Sequence, residues 1–535
     1  MKMRRSFSVV LGVGMAMSLF LGCGGSEGAV HTEDTSAGQE ISENSSGISS
    51  DSVLENADED LAEINMIYMS MSTLPSGLSD IEAAINEITE SEINTHVNIE
   101  VIEVGNYAQQ IGLKMSSSEV VDLMVTLPTA SAAAFSVMAS QGQLLDITEE
   151  LAEYGQGITS TVGDLVKATT VDGAVYGVPT YRDLVTSTYI AMRTDVLEDL
   201  GLLEKAENMT TFTEYEEILE TVKNSDKWDS LVGIVAVGTG EILAKPGSFQ
   251  GVDAFADAKV FDQLGDMNKL ICIDPEGEDP TIRNYYATDE YRAMYDIVKG
   301  WYDKGYIYKD ANTTKETGSS LVKSNVAFSM IVSGDISVEV TQTGSCGYDM
   351  TCVKIVTQPL STYNCQKFVW VVPSTAAEPE AAVKMMNLMY TDERICNLLA
   401  WGIEDVHYTV KDGIAYFAEG TSADNTAYHM VDFTFGNQFL VLPWEGSDPE
   451  IREKAKEAMD NAPISAYLGF SCDTTDISTD LASVINTINE YRPSIESGMA
   501  SEADYEAFLE KLEVSGAQAV VDTYQEQLNA WLANN

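Results

Sequence analysis

Apolar positions along this chain recur in two rhythms, runs of strand length and a helical period of about 3.6 residues. Residues 64–71 form a short apolar run that predicts a strand. Ser79 and Glu82 then stand at capping-box spacing and predict the start of a helix with Ile81, Ile85 and Ile88 on one face. Residues 97–104 predict a second strand, 107–117 a helix, and the unbroken apolar run 121–126 a buried strand. Strand–helix alternation of this kind predicts a parallel, doubly wound α/β lobe. Ligands in such lobes sit off the carboxyl ends of strands, which nominates Ser72 with Thr73 and the turn 126–129 with Thr129.

The stretch 172–201 breaks this rhythm. Asp172-Gly173 is a turn pair, 175–178 reads as a short strand that Pro179 ends, and 185–192 is a second β-rich run. A helix follows from Thr194 to Gly201. Strand, polar turn, strand and capped helix suit a chain leaving one lobe for another, with Tyr181, Arg182 and Asp183 at the junction. Further along, Thr213 and Glu216 repeat the capping-box spacing ahead of Ile218, Leu219 and Val222. Residues 231–238 and 326–334 predict strands, the latter ending in Ser333-Gly334-Asp335. Trp301 lies at helical spacing from Met294 and Val298 and reads as core. The run 368–373 is the candidate return crossing, followed by helices from about Pro379 to Tyr390 and from Asp392 to Trp401-Gly402.

These segments carry a family resemblance. Asp172-Gly-Ala-Val-Tyr-Gly-Val-Pro179 with 189–201 resembles a signature of the extracellular solute-binding lipoproteins of bacterial ABC-type carbohydrate importers. The segments 142–148 and 301–307 are similar to the same family's. Gly402-Ile-Glu-Asp-Val-His-Tyr408 resembles a subfamily motif in which Asp405 replaces the usual glycine, and the apolar face Val520, Tyr524, Leu528 and Trp531 matches its C-terminal region. The likeness covers about residues 62–535. It implies an α/β, two-lobe periplasmic-binding-protein-like fold of type II with discontinuous lobes. The expected division is 62–180 with 368–415 in lobe one, and 181–367 with 416–535 in lobe two. It also implies a carbohydrate ligand, membrane permease subunits as partners, a monomer, and no catalysis. In the family the Ser333-Gly334-Asp335 loop contributes to the sugar cleft.

The N-terminus has its own signature. A basic start, Lys2, Arg4 and Arg5, precedes an apolar stretch 7–20, shorter than the ~20 residues a spanning helix needs. It ends in Leu21-Gly22-Cys23-Gly24, which resembles a lipobox. That reading makes 1–22 a signal peptide, Cys23 the site of lipidation, and 23–61 a lipid-anchored, disordered tether at the extracellular face of the cell membrane.

Composition narrows the alternatives. Thirty basic against 84 acidic residues give −54, and no clustered cationic surface is present for nucleic acid. So many carboxylates make close pairs expected by chance, so paired acids alone leave a glycoside hydrolase, with carboxyls about 5–9 Å apart, as the competing class. There is no G-x-S-x-G elbow, H-E-x-x-H or P-loop, Gly238-x-Gly240 lacks a third glycine, and four scattered histidines offer little for a metal or a triad. No cofactor is implied. The acidic run 274–279 lacks EF-hand spacing, and His407 reads as structural. None of the six cysteines after Cys23 forms C-x-x-C; Cys346 and Cys352 could bridge a hairpin, but free buried thiols are the commoner case in a large chain. Sugar recognition needs flat apolar faces and charged forks. The candidate ligand set is therefore Ser72, Thr129, Tyr181, Arg182, Asp183, Asp335, Trp401 and Trp444.

Overall fold

The computed structural model describes residues 61–535 except 72, 129–130, 236–251, 259, 267–268, 312–313, 424 and 535. The expected signal peptide, the expected tether with Cys23, and Ser72, Thr129 and the Gly238–Gly240 pair lie outside the described residues. The main strands in chain order are β1 (Ala62–Ser70), β2 (Thr95–Glu103), β3 (Leu123–Val125), β4 (Val178–Pro179), β5 (Ser187–Arg193), β6 (Val232–Val235), β7 (Ala327–Gly334), β8 (Met350–Thr357) and β9 (Val369–Val371). They form a five-stranded sheet ordered β2-β1-β3-β9-β4 and a four-stranded sheet ordered β8-β5-β7-β6. Each anchors its own hydrophobic core, so the fold is α/β with two lobes.

The first sheet is parallel at β2, β1 and β3, as the strand–helix alternation predicts. β9 then runs antiparallel, with Trp370 opposite Val125 on one side and Val178 on the other. The purely parallel expectation fails here because β9 arrives from the other lobe and not through a crossover helix. Trp370 is fully buried at the centre of this sheet, and its indole N–H donates to the Thr434 carbonyl at 3.0 Å. Residues 170–175 form a separate small hairpin around Asp172 (φ 50°) and Gly173 (φ 85°), so the expected strand 175–178 is split between that hairpin and β4.

Helix starts depart from the expected caps. Helix Leu78–Ile93 begins after Gly77 without a side-chain cap, and the Glu82 carboxylate instead accepts from the Ile99 amide at 2.7 Å. Helix Phe212–Lys223 is capped by Thr211, two residues before the expected Thr213, whose hydroxyl accepts from Glu214 N at 3.1 Å. Glu216 is drawn away by the Trp301 indole N–H (3.2 Å) and by Lys304. Trp301 is buried as core.

Backbone passes between the lobes in neighbouring segments. Residues 180–186 lead from β4 to β5 and 358–368 return from β8 to β9. They are stitched together: Thr180 N donates to Phe368 O at 3.0 Å and Gln358 N to Thr186 O at 2.8 Å. A further passage falls at 463–468, where Leu360 N donates to Pro463 O (2.8 Å) and Ser465 N to Leu360 O (2.9 Å). Residues 416–462 pack with lobe one, whereas the sequence reading puts 416–535 in lobe two. Tyr428, Met430, Phe435, Val441 and Met459 belong to the first core. The Tyr428 hydroxyl lies 2.9 Å from that of Tyr68 in β1, and Phe435 sits edge-on to Tyr68 at 5.2 Å.

Asp405 takes the left-handed conformation that the motif's glycine would suit, at φ 63°, and its amide donates to Tyr408 O at 2.7 Å. Asp tolerates this region where β-branched residues do not. Asp405→Val is expected to cost about 1–2 kcal/mol of stability, and Asp405→Gly to leave the urea midpoint unchanged or raised.

Candidate functional site

Tyr181, Arg182 and Asp183 occupy the first crossing, and a loop from lobe one fixes them. Tyr181 N donates to Gly436 O at 2.7 Å, Gln438 N to Tyr181 O at 2.9 Å, and Asp183 N to the Gln438 side-chain oxygen at 3.0 Å. Asp183 Oδ1 accepts from Val185 N at 3.0 Å, turning the chain into β5. Tyr181 itself is buried edge-on against Phe439 at 5.1 Å, so it packs the crossing and does not present its face.

Arg182 points into the junction. Its Nη1 donates to the Asp183 carbonyl at 3.1 Å, its guanidinium carbon lies 5.7 Å from the Phe368 ring centre, and its buried Nε has no hydrogen-bond partner among the described residues. Burial pulls the guanidinium down to about 10, offset by Cys365 and by the charges of Asp183, Asp335 and Asp432. Burial, and next the charge of Asp335, push the Asp183 carboxyl up to about 7 despite Arg182 and Arg452. Asp335 comes from lobe two, directly after β7, and its carboxylate accepts from Ser337 N (2.8 Å) and Ser337 Oγ (2.6 Å). Three of the predicted residues, from opposite lobes, are thus within mutual electrostatic reach.

Trp444 joins this group through residues the sequence did not single out. Arg452 pairs with Asp432, donates from Nε to Val441 O at 3.0 Å, and stands 5.7 Å over the half-buried Trp444 ring. Asp432 also accepts from the Gln438 amide at 2.9 Å, tying the pair to the loop that holds Tyr181. Arg452 sits in the charge-rich helix Ile451–Asp460, where one arginine among lysines and acids carries no signal. Asp432 was legible as a lone acid in the apolar run 430–435.

Trp401 does not belong to the group. It is 5 % exposed, donates to Leu442 O at 3.1 Å, and packs against His429 at 4.7 Å and Phe417 at 5.5 Å. An indole with its N–H and both faces used inside a core cannot serve a solute. His407 is buried with Nδ1 accepting from Ile403 N at 3.1 Å, a structural histidine as expected. All six cysteines beyond Cys23 are free thiols, four of them buried. Among the described residues no group of three or more His, Cys, Asp or Glu side chains is placed to hold a metal ion.

Two α/β lobes joined by neighbouring crossings, with charged side chains contributed from both sides, define a protein built to hold a solute between lobes. The chain belongs to the bacterial extracellular solute-binding protein family, whose model matches residues 83–402. A model described only as a domain of unknown function matches 466–533. A carbohydrate ABC transporter substrate-binding protein of Streptococcus pneumoniae is 21% identical over 477 residues, 86% of this chain and 89% of that protein. The crystal structure of an N-glycan transport solute-binding protein from S. pneumoniae superposes with a TM-score of 0.71 at 20% identity, covering 88% of this chain and 99% of that one. An alginate-binding protein superposes at 0.54 and 16% identity, covering 88% and 98%.

Proposed function

We propose that this protein captures an oligosaccharide between its lobes outside the cell and delivers it to the permease subunits of an ABC importer. The observation that carries this reading is the meeting of Arg182 and Asp183 at the crossing with Asp335 from lobe two, beside the Trp444–Arg452–Asp432 group. A buried N–H without an acceptor and carboxylates with spare lone pairs suit hydroxyl groups. The half-buried indole suits the C–H face of a sugar ring. The carbohydrate assignment of the S. pneumoniae relative supports the same ligand class. The protein is not an enzyme on this reading: the acids of the group bind hydroxyls and cleave nothing. It acts as a monomer, with Cys23 lipidated to hold it at the membrane.

Titration calorimetry against an oligosaccharide panel, with chromatography of the same samples, tests the reading. Binding without cleavage products is expected, and Trp444→Ala should weaken binding by about 2 kcal/mol, as truncation of an aromatic anchor does. Release of shorter sugars would establish the hydrolase instead. Ligand should also draw the lobes together and lower the radius of gyration in solution scattering.

A further inference from the structure

One end of the second sheet carries an aromatic ring that no core uses. The chain enters β5 from the first crossing at Ser187 and leaves β8 for the second after Thr357. Gln358 N donates to Thr186 O at 2.8 Å, and in the register Ser187 stands opposite Gly334 of β7 and Thr357 of β8. Asp335 follows Gly334 directly, so this is the end of the sheet next to lobe one. Tyr189 lies two residues in from it, opposite Val332 and Lys354. Side chains alternate along a strand, which puts Tyr189 on the face of Ser187, whose Oγ lies 3.0 Å from Thr357 Oγ1. Ile190 and Met192 point the other way into the second core, and Ala191 enters a small third core with Met330 and Cys346.

β5 has a strand on both sides, and six of its seven residues are buried; Tyr189 alone is half-buried. It belongs to none of the three cores, and its neighbour Lys354 is exposed. Among the described residues its ring enters no aromatic or cation–π pair. Burial above all raises the Tyr189 hydroxyl pKa, Ser187 opposes that, and the charges of Asp335 and Asp183 add to it, in keeping with this placement. Resting on the oligosaccharide reading above, we infer that Tyr189 is the stacking residue of lobe two, on which a pyranose ring lays its C–H face. An aromatic ring uncovered in mid-sheet, at the end nearest the other lobe, has its apolar face free for that contact. Trp444 serves lobe one in the same way, so each lobe brings one flat apolar surface and its own carboxylates.

Calorimetry tests this with neutral manno-, fructo- and galacto-oligosaccharides, the best-bound of them serving as the probe. Tyr189→Phe keeps the flat face and drops the hydroxyl, whereas Tyr189→Leu keeps apolar bulk and drops the face. Tyr189→Leu should weaken the probe about tenfold and Tyr189→Phe less than about threefold, the scale of one aromatic contact. Both variants should melt with the wild type, because the ring supports no core. Hydroxyl-radical footprinting adds a readout that a structural role would not move: the probe should shield Tyr189 from oxidation in the wild-type protein. Wild-type affinity in Tyr189→Leu, equal losses in the two variants, or no shielding of Tyr189 would each overturn the inference and leave the oligosaccharide reading intact. If Tyr189→Leu does not fold, the footprint and Tyr189→Phe decide. Should no glycan bind the wild-type protein, the oligosaccharide reading falls and this inference with it.

Discussion

Gly436→Ala should lower the stability of the chain by about 3–4 kcal/mol, among the larger effects a single added methyl can have. A Cβ at this position would fall onto the Met389 carbonyl oxygen and within 2.6 Å of its carbon. Neither side can give way cheaply. Met389 lies in helix Pro379–Thr391, whose buried face runs through Met385, Met386 and Tyr390. The same carbonyl accepts from Asn437 N at 3.0 Å, and the Asn437 side chain donates to Tyr390 O at 3.1 Å. On its other side Gly436 O holds Tyr181 N, so relaxing the clash moves the crossing that carries Arg182. The urea midpoint should therefore fall together with glycan affinity. An unchanged midpoint would show that the loop does not hold this close approach.

The second large effect is a pH dependence centred on Glu496. This carboxylate is 1 % exposed in helix Ser478–Glu496, and its Oε2 has no hydrogen-bond partner among the described residues. Arg492 Nε stands 4.0 Å away, too far for a hydrogen bond, and the Tyr291 hydroxyl nearby also lacks a partner among the described residues. Burial raises the Glu496 pKa to about 7, with Arg492 and Lys269 only partly offsetting it. A folded pKa above the unfolded one means stability is full below the unfolded value, near 4.5, and is lost as pH rises through the folded value. Between pH 5 and pH 8 the wild-type chain should thus lose about 3 kcal/mol relative to Glu496→Gln, taking ~1.4 kcal/mol for each tenfold difference in proton affinity between the folded and unfolded chain. Asp183 contributes in the same direction in both proteins, since its carboxyl too is held up near 7. Denaturant titrations at three pH values check this. Parallel stability curves for wild type and variant would mean that Glu496 does not carry the effect.

What the sequence made legible follows from which forces act locally. β1, β2, β7 and the helix Asp289–Asp303 stand where apolar periodicity places them, because burial of one face acts through neighbours a few residues apart. Strand direction is a different matter. Nothing in Phe-Val-Trp-Val-Val says that β9 runs against β3, since an apolar run reads the same from either end. The caps at Glu82 and Glu216 failed because each acid found a distant donor, Ile99 N and the Trp301 indole, that no local pattern contains. Thr211 and Glu214 offered the same spacing two residues earlier and won. Arg182, Asp183 and Asp335 were readable as polar residues at chain turns. Arg452 was not, and Trp401 was misjudged because an aromatic ring at a helix end looks the same whether it faces a core or a solute.

The stitched crossings have a mechanical meaning. Passages at 180–186, 358–368 and 463–468 lie side by side, so the lobes are joined by a ribbon and not by a thread. A ribbon bends easily across its width and resists torsion, which channels relative motion into opening and shutting. It also gives redundancy: after a single proteolytic nick in one passage the other two still run between the lobes, and packing alone holds the severed fragment in place.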